Sequence, residues 1–154
     1  MTPAIDQLIN LGIRHQTHEY SHDSNATSYG TEAAQKMGVP PQQVFKTLVV
    51  DAGNKGLAVA VLPVDQQLNL KLMAKAMGAK KVAMAEPNAV SRSSGYVLGG
   101  VSPIGQKRAL TTVIDVSAER FESIYVSGGR RGLEIELAAR DLATVTNGQL
   151  TLIT

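Results

Sequence analysis

VFKTLVVD, residues 44–51, and GLAVAVLPVD, residues 56–65, meet at AGNKG, residues 52–56. Both runs are rich in β-branched residues, and the connection carries the glycine and asparagine that tight turns need, so the pair predicts a β-hairpin. A side-chain period of two puts Lys46 on one strand face with Val44, Leu48 and Val50, and puts Phe45, Thr47 and Val49 on the other. One charge therefore stands on an otherwise aliphatic face. Two readings fit it: a gatekeeper on a sheet edge that discourages pairing with other chains, or a lysine that lines a pocket.

Thr2-Pro3 predicts an N-cap followed by proline at the first helical position, with Ile5, Leu8 and Ile9 at helical spacing and Gly12 as the stop. IRHQTHEY (13–20) reads as a strand that runs into the polar loop SHDSNAT (21–27). A short helix is expected over 30–37, ended by Gly38, with Pro40-Pro41 preventing continuation. Asn69 is placed to cap LKLMAKAM (70–77), whose Leu70, Met73, Ala74 and Met77 form an apolar stripe for the core, with Gly78 at its end. Glu86-Pro87 opens another helical segment that stops at Gly95, after which YVLGGVSPIG (96–105) is expected as an apolar strand running into a glycine-rich turn. Further strands are expected at 111–115, 124–127 and 133–137. At the tail, TVT (144–146) and QLTLIT (149–154) flank Asn147-Gly148, a type I′ hairpin signal. Strands outnumber helices without βαβ alternation, so the expected fold class is α+β with a mixed, mainly antiparallel sheet, built as one domain over 1–154.

The 154 residues include no cysteine, which excludes disulfides, thiolate metal sites and a thiol nucleophile from the protein. Any thiol chemistry must come from a substrate. No basic segment followed by an apolar core and a small-residue cleavage site opens the chain, and no apolar run approaches about 18 residues, so a soluble cytoplasmic protein with no membrane partner is expected. Net charge is +2, and the basic doublets Lys80-Lys81, Lys107-Arg108 and Arg130-Arg131 are spread along the chain, where they read as solvated loops unless the fold brings them together. Two Phe, four Tyr and no Trp are too few for a sheet that stacks single-stranded bases on many aromatics.

His15, His18 and His22 invite a metal reading, but on a strand positions 15 and 18 point to opposite faces, so no metal site is expected. Glu134 and Glu136 share one strand face, as a carboxylate pair for acid and base work would. With Leu133, Ile135 and Leu137 opposite, the ordinary account is an amphipathic strand with its carboxylates in water. No G-x-S-x-G elbow, Walker A loop or G-x-G-x-x-G fingerprint is present. Two glycine-rich turns, GGVSPIG (99–105) and SGGRRG (127–132), each follow an expected strand and have the backbone freedom to approach a ligand closely or aim N–H groups at an anion.

HEYSHD (18–23), TSYGTEAA (27–34), VFKTLVV (44–50), GYVLGGVSPIG (95–105) and SGGRRGLEIEL (127–137) together resemble, in this order, the YbaK family of free-standing aminoacyl-tRNA editing proteins. The likeness runs from about residue 2 to residue 145. Phe45-Lys46-Thr47-Leu48 is similar to the bacterial Cys-tRNA(Pro) deacylases of that family, whereas alanine-type relatives tend to carry asparagine soon after the lysine. The resemblance implies a barrel-like mixed sheet with flanking helices and a pocket for the aminoacyl-adenosine end of tRNA. It also implies an enzyme that removes cysteine wrongly attached to tRNA(Pro), without metal or cofactor, by letting the substrate's thiol attack its own ester carbonyl. Lys46 then matches the functional lysine, which positions the ester carbonyl or the terminal ribose and phosphate. Tyr20 and Tyr29 match aromatic pocket positions, and Thr47 is a secondary pocket candidate. Gly99, Gly100 and Pro103 fall on a G-x-x-x-P loop whose N–H groups would meet the carbonyl or oxyanion, and Ser127 and Gly129 match the second loop. Glu134 stands where the family often has aspartate. The implied partners are the acceptor end of aminoacyl-tRNA(Pro) and prolyl-tRNA synthetase, which would confer the tRNA specificity that a scattered charge cannot. The alternatives are a deacylase of Ala-tRNA(Pro) or a Ser-tRNA, and a non-catalytic module that binds tRNA ends or nucleotides.

Overall fold

In a computed structural model, which describes residues 1–26 and 28–154, the 44–65 region forms the expected hairpin. Thr27, which ends the polar run 21–27 and opens the TSYGTEAA motif, lies outside the described residues. Strand β2 follows helix α1 (Pro3–Leu11), strand β1 (Gln16–Glu19) and helix α2 (Tyr29–Met37), and spans Phe45–Asp51. It pairs antiparallel along its full length with β3 (Leu57–Pro63), and a short 3-10 turn at Gly53–Lys55 closes the connection. Strand β3 reads as an unbroken apolar run because both its faces are covered. Val59 and Val61 pack in one cluster with Phe45, Val49 and Ile114, whereas Ala58, Ala60 and Leu62 pack in another with Val50 and Val113.

The remaining elements are α3 (Leu70–Met77), β4 (Ala83–Met84), α4 (Pro87–Ser94), β5 (Thr111–Asp115), β6 (Ile124–Ser127), β7 (Leu133–Leu137), α5 (Ala139–Thr146) and β8 (Gln149–Thr151). They complete a five-stranded sheet of order β4-β2-β3-β5-β8 and a three-stranded sheet of order β1-β7-β6. The β3–β5 and β5–β8 pairs are parallel and the other pairs antiparallel, so the small sheet is antiparallel, the large one is mixed, and antiparallel pairs predominate over the two together. A parallel bridge from Val44 to Tyr125 joins the two sheets. Met73 and Ala74 of α3 cover one face of the large sheet, while α1, α4 and α5 contribute Leu8, Val90 and Leu142 to the core on the other. Among the described residues, no helix is long and apolar enough to cross a membrane.

Two expectations fail. Residues 96–105 form no strand: Tyr96 is buried, but Val97 and Leu98 project into solvent, and Gly99 at φ +89° breaks the extended path before any partner strand is met. The tail forms no hairpin either. Residues 144–146 end α5, whose Ala139 and Leu142 face the core at helical spacing, and β8 pairs parallel with β5. Asn147, at φ 52°, is the left-handed cap of that helix, with its N–H and that of Gly148 returned to Thr144 and Ala143. A type I′ turn and a left-handed helix cap demand the same backbone region, and the buried leucine decides between them.

Both glycine-rich segments meet at the start of α1. The Thr2 hydroxyl accepts from the Ile5 N–H as an N-cap and donates to the Gly128 carbonyl. A Cβ on Gly129 would lie 2.8 Å from Tyr96 Cε1, and one on Gly105 would lie 2.7 Å from the Pro3 carbonyl carbon. Tyr96 in turn donates its hydroxyl to the Ile104 carbonyl at 2.6 Å. Thr2→Val therefore removes a helix cap and strands a buried carbonyl, and should lower unfolding free energy by about 2 kcal/mol. Urea denaturation measures this; an unchanged midpoint would show that Thr2 does not tie the loop to the helix.

Candidate functional site

The strand that carries Lys46 is fully paired on one side only. On the other, β4 meets it at Val50 and Asp51, Ala85 donates to the Val49 carbonyl, and Tyr125 bridges to Val44. Between these ends the edge is open. The Val44 carbonyl accepts from Val64, on the β3 side, so the two-residue alternation turns the N–H and C=O of Thr47 the other way, toward the gap. A cavity of about 450 Å³ occupies that gap.

Lys46, Thr47, Tyr20, Tyr29, Gly99, Ser127 and Glu134 all line this cavity. Lys46 is half-buried, and desolvation lowers its pKa against the opposing charge of Asp65. The pocket reading of this lysine thus agrees with where the chain puts it, and its strand is no bare sheet edge. Thr47 has a buried Oγ1 with no hydrogen-bond partner among the described residues. Tyr20 is held by its N–H to the Gly132 carbonyl at 2.9 Å; burial raises its hydroxyl pKa, and the Glu134 charge adds to that rise. Tyr29 opens α2 just after its Ser28 cap, between the Arg131 guanidinium, 3.9 Å from the ring centre, and Gly99, where an added Cβ would sit 2.9 Å from the ring.

Gly100, Pro103 and Gly129 do not line the cavity. The Gly100 N–H is donated to the Val97 carbonyl at 3.0 Å, and a Cβ on Gly100 would lie 2.7 Å from Arg130 Cα. Gly100 thus lets the two glycine-rich loops touch, Gly129 accommodates Tyr96, and Pro103 is buried. Ser127 accepts from the Gly129 N–H at 3.2 Å, which shapes the second loop.

The two carboxylates of β7 separate. Glu134 is buried, not in water as the amphipathic pattern suggests, because its end of β7 faces the interior cavity that Tyr20, Ser127 and Arg131 also line. Desolvation pushes its pKa up to about 8. Glu136 lines a second hollow, with Arg14, His15, Glu122 and Asp141, and accepts from Ser123 and pairs with His18 at 2.9 Å. The Ser123 hydrogen bond, followed by His18, holds its pKa below the usual carboxylate value despite partial burial. His15 turns its Nδ1 to the Ile13 carbonyl, and among the described residues no three His, Asp or Glu side chains gather as a metal site.

The sequence reading missed the apolar rim of Val64, Met84, Ala85, Val90 and Leu98, and it treated Arg130-Arg131 as a solvated doublet. Met84 sits on a two-residue strand that leaves no periodic signal. Arg131 was findable, since it belongs to a glycine-rich loop already marked for close approach to a ligand.

Known proteins agree with this architecture. The aminoacyl-tRNA editing domain profile matches residues 23–145, and the chain belongs to that family. It is 42% identical over 121 residues to a candidate Cys-tRNA(Pro)/Cys-tRNA(Cys) deacylase of Enterococcus faecalis, covering 79% of this chain and 74% of that protein. It is 28% identical over 112 residues to a multifunctional Ser/Thr-tRNA deacylase of Escherichia coli, covering 70% of this chain and 67% of the relative. Its fold superposes with a TM-score of 0.86, at 22% identity, on the crystal structure of a candidate trans-editing enzyme for prolyl-tRNA synthetase, covering 100% of this chain and 98% of the other.

The Glu134 carboxyl makes stability depend on pH. With its folded pKa raised from 4.5 to about 8, the folded protein keeps a proton that the unfolded chain releases over that interval, so stability falls as pH rises through it and levels above about 8. Glu134→Gln removes this slope. Urea denaturation between about pH 5 and 9 should show the variant gaining on the wild type as pH rises, and parallel curves would mean that Glu134 is not protonated in the fold.

Proposed function

We propose that residues 1–154 act as one editing unit, an aminoacyl-tRNA deacylase that removes cysteine from mischarged Cys-tRNA(Pro). The observation that carries this reading is a cavity with a cation and hydroxyls but no equipped nucleophile. Ser28, Thr47 and Ser127 line it, among the described residues no histidine does, and the chain has no cysteine. Glu134 stands opposite Ser127, but burial raises its pKa to about 8, which leaves it a poor base at neutral pH, and a hydroxyl without an effective base is a poor nucleophile. The substrate's thiol supplies what the protein lacks.

In that reaction the cysteinyl sulfur attacks its own ester carbonyl, a C–S bond forms as the C–O bond to the ribose breaks, and the thiol proton passes to the departing ribose oxygen. The product is a cyclic thiolactone, which water opens to free cysteine. The protein's contribution is to hold sulfur and carbonyl at attack distance and to stabilise the oxyanion. Lys46 supplies positive charge to the carbonyl from the strand, and Gly99 brings backbone close beside it. Above its bound end the substrate must be recognised as tRNA(Pro), and with a net charge of +2 this chain depends on prolyl-tRNA synthetase for that step. The substrate places the protein in the cytoplasm.

Incubation with Cys-, Ala-, Ser- and Thr-tRNA(Pro) tests the substrate. Cysteine alone should be released at a high rate, with thiolactone as the first product; loss of alanine, serine or threonine with Cys-tRNA(Pro) untouched would overturn the assignment. The Ser/Thr arms are included because of the Escherichia coli relative's name. Tight tRNA binding with no deacylation would favour a binding module instead. Lys46→Ala should lower kcat/KM for Cys-tRNA(Pro) by about 100-fold, roughly 2.7 kcal/mol of transition-state stabilisation, and full activity would remove Lys46 from the mechanism.

A further inference from the structure

Arg131 lines the cavity, and two of its nitrogens, Nε and Nη2, are buried and have no acceptor among the described residues. These two atoms form one edge of the guanidinium fork, the edge that offers two parallel donors to an anion. A buried cationic edge without an acceptor is costly, which makes it a poor feature for structure alone. Its guanidinium carbon stands 3.9 Å from the centre of the Tyr29 ring, a cation–π contact that restrains the group. The neighbouring Arg130 has a different use, an exposed ion pair with Glu19 at 2.8 Å. The doublet that looks uniform in sequence has divided into one surface pair and one fork in the cavity wall.

We propose that the Arg131 fork binds the phosphate on the 5′ side of the substrate's terminal ribose, leaving Lys46 to the ester carbonyl. This rests on the deacylase reading above. The amino acid's carboxyl is esterified in such a substrate, so the phosphodiester is the anion that this end of the molecule brings, and a planar fork matches its paired oxygens better than an ammonium does. One internal group is an alternative acceptor. Glu32 also has a buried oxygen, Oε1, without a partner among the described residues, and both Glu32 and Arg131 act electrostatically on the Tyr20 hydroxyl.

Adenosine and adenosine 5′-monophosphate separate these uses, because they differ only in the phosphate and neither can be deacylated. Titrated into the wild type and followed by NMR, the monophosphate should bind at least about tenfold more tightly, about 1.4 kcal/mol. Arg131→Met should erase that ratio without changing adenosine affinity, Arg131→Lys should restore part of it, and Lys46→Met should keep it. With the 3′-cysteinyl ester of the monophosphate, Arg131→Met should raise KM more than it lowers kcat, and the rise in KM should be smaller with cysteinyl-adenosine. Absence of monophosphate binding, equal affinity for the two ligands, a ratio that survives Arg131→Met, or a ratio lost in Lys46→Met overturns the proposal. So does an unchanged ratio in Arg131→Met accompanied by non-additive loss of thermal stability with Glu32→Gln, which would assign the fork to Glu32. If the Arg131-dependent ratio holds but no aminoacyl-tRNA is cleaved, the phosphate site stands and the deacylase reading falls. If Cys-tRNA(Pro) is cleaved but the ratio is absent, the deacylase reading stands and the phosphate site falls.

Discussion

Strand β2 is bonded along its whole length to β3, and on its other side only near its two ends, at Val44 and at Val49–Asp51. A strand interrupted in this way keeps its backbone rigid while leaving the middle of one edge unpaired. Side chains from both its faces then reach the same space, which is why Lys46 and Thr47, on opposite faces by parity, line one cavity. The second sheet, docked at the Val44–Tyr125 bridge, supplies the facing wall through Ser127 and Glu134. The apolar burial of β3 on both faces makes this possible, since the strand that bears the cavity is anchored along its whole length to it.

The electrostatics of the cavity follow from that placement. Desolvation works on each ionisable group by disfavouring its charge: it lowers Lys46 and raises Glu134 and Tyr20. A carboxyl kept protonated near neutral pH adds no negative charge to compete with a substrate phosphate or a developing oxyanion. The surface carboxylate two residues along, Glu136, is treated in the opposite way, with Ser123 and His18 stabilising its ionised form. One alternating strand thus presents the same residue type in two protonation regimes, and the difference lies in the solvent and hydrogen bonds around each side chain.

The sequence carried most of the fold because most of its punctuation is local. Thr2-Pro3, Asn69, Gly12, Gly38, Gly78 and Gly95 start or stop helices where capping chemistry places them, and the β2–β3 hairpin follows from strand pattern and turn composition. The failures are places where local chemistry has two solutions. Asn147 suits a hairpin turn or a helix cap, and only the burial of Leu142 selects the cap; 96–105 is apolar enough for a strand but has no strand to pair with. At the cavity, a resemblance could point to Lys46, Tyr20 and Tyr29, whereas the burial of Glu134 and the inward turn of Arg131 depend on strands and loops distant in sequence. Alternation alone puts Glu134 in water.

The hydrogen bond from Thr2 to Gly128 spans 126 positions of the chain. Contacts of such separation carry a large loop-closure entropy and belong late in folding. As the polypeptide leaves the ribosome, the helix capped by Thr2 emerges more than a hundred residues before the loop that it braces. The hairpin bearing Lys46 can form long before the opposite wall exists. A product stalled before residue 127 would therefore expose the half-built cavity's aliphatic lining without its arginine-bearing rim, so synthesis of the 127–134 segment is also what closes this surface against association with other chains.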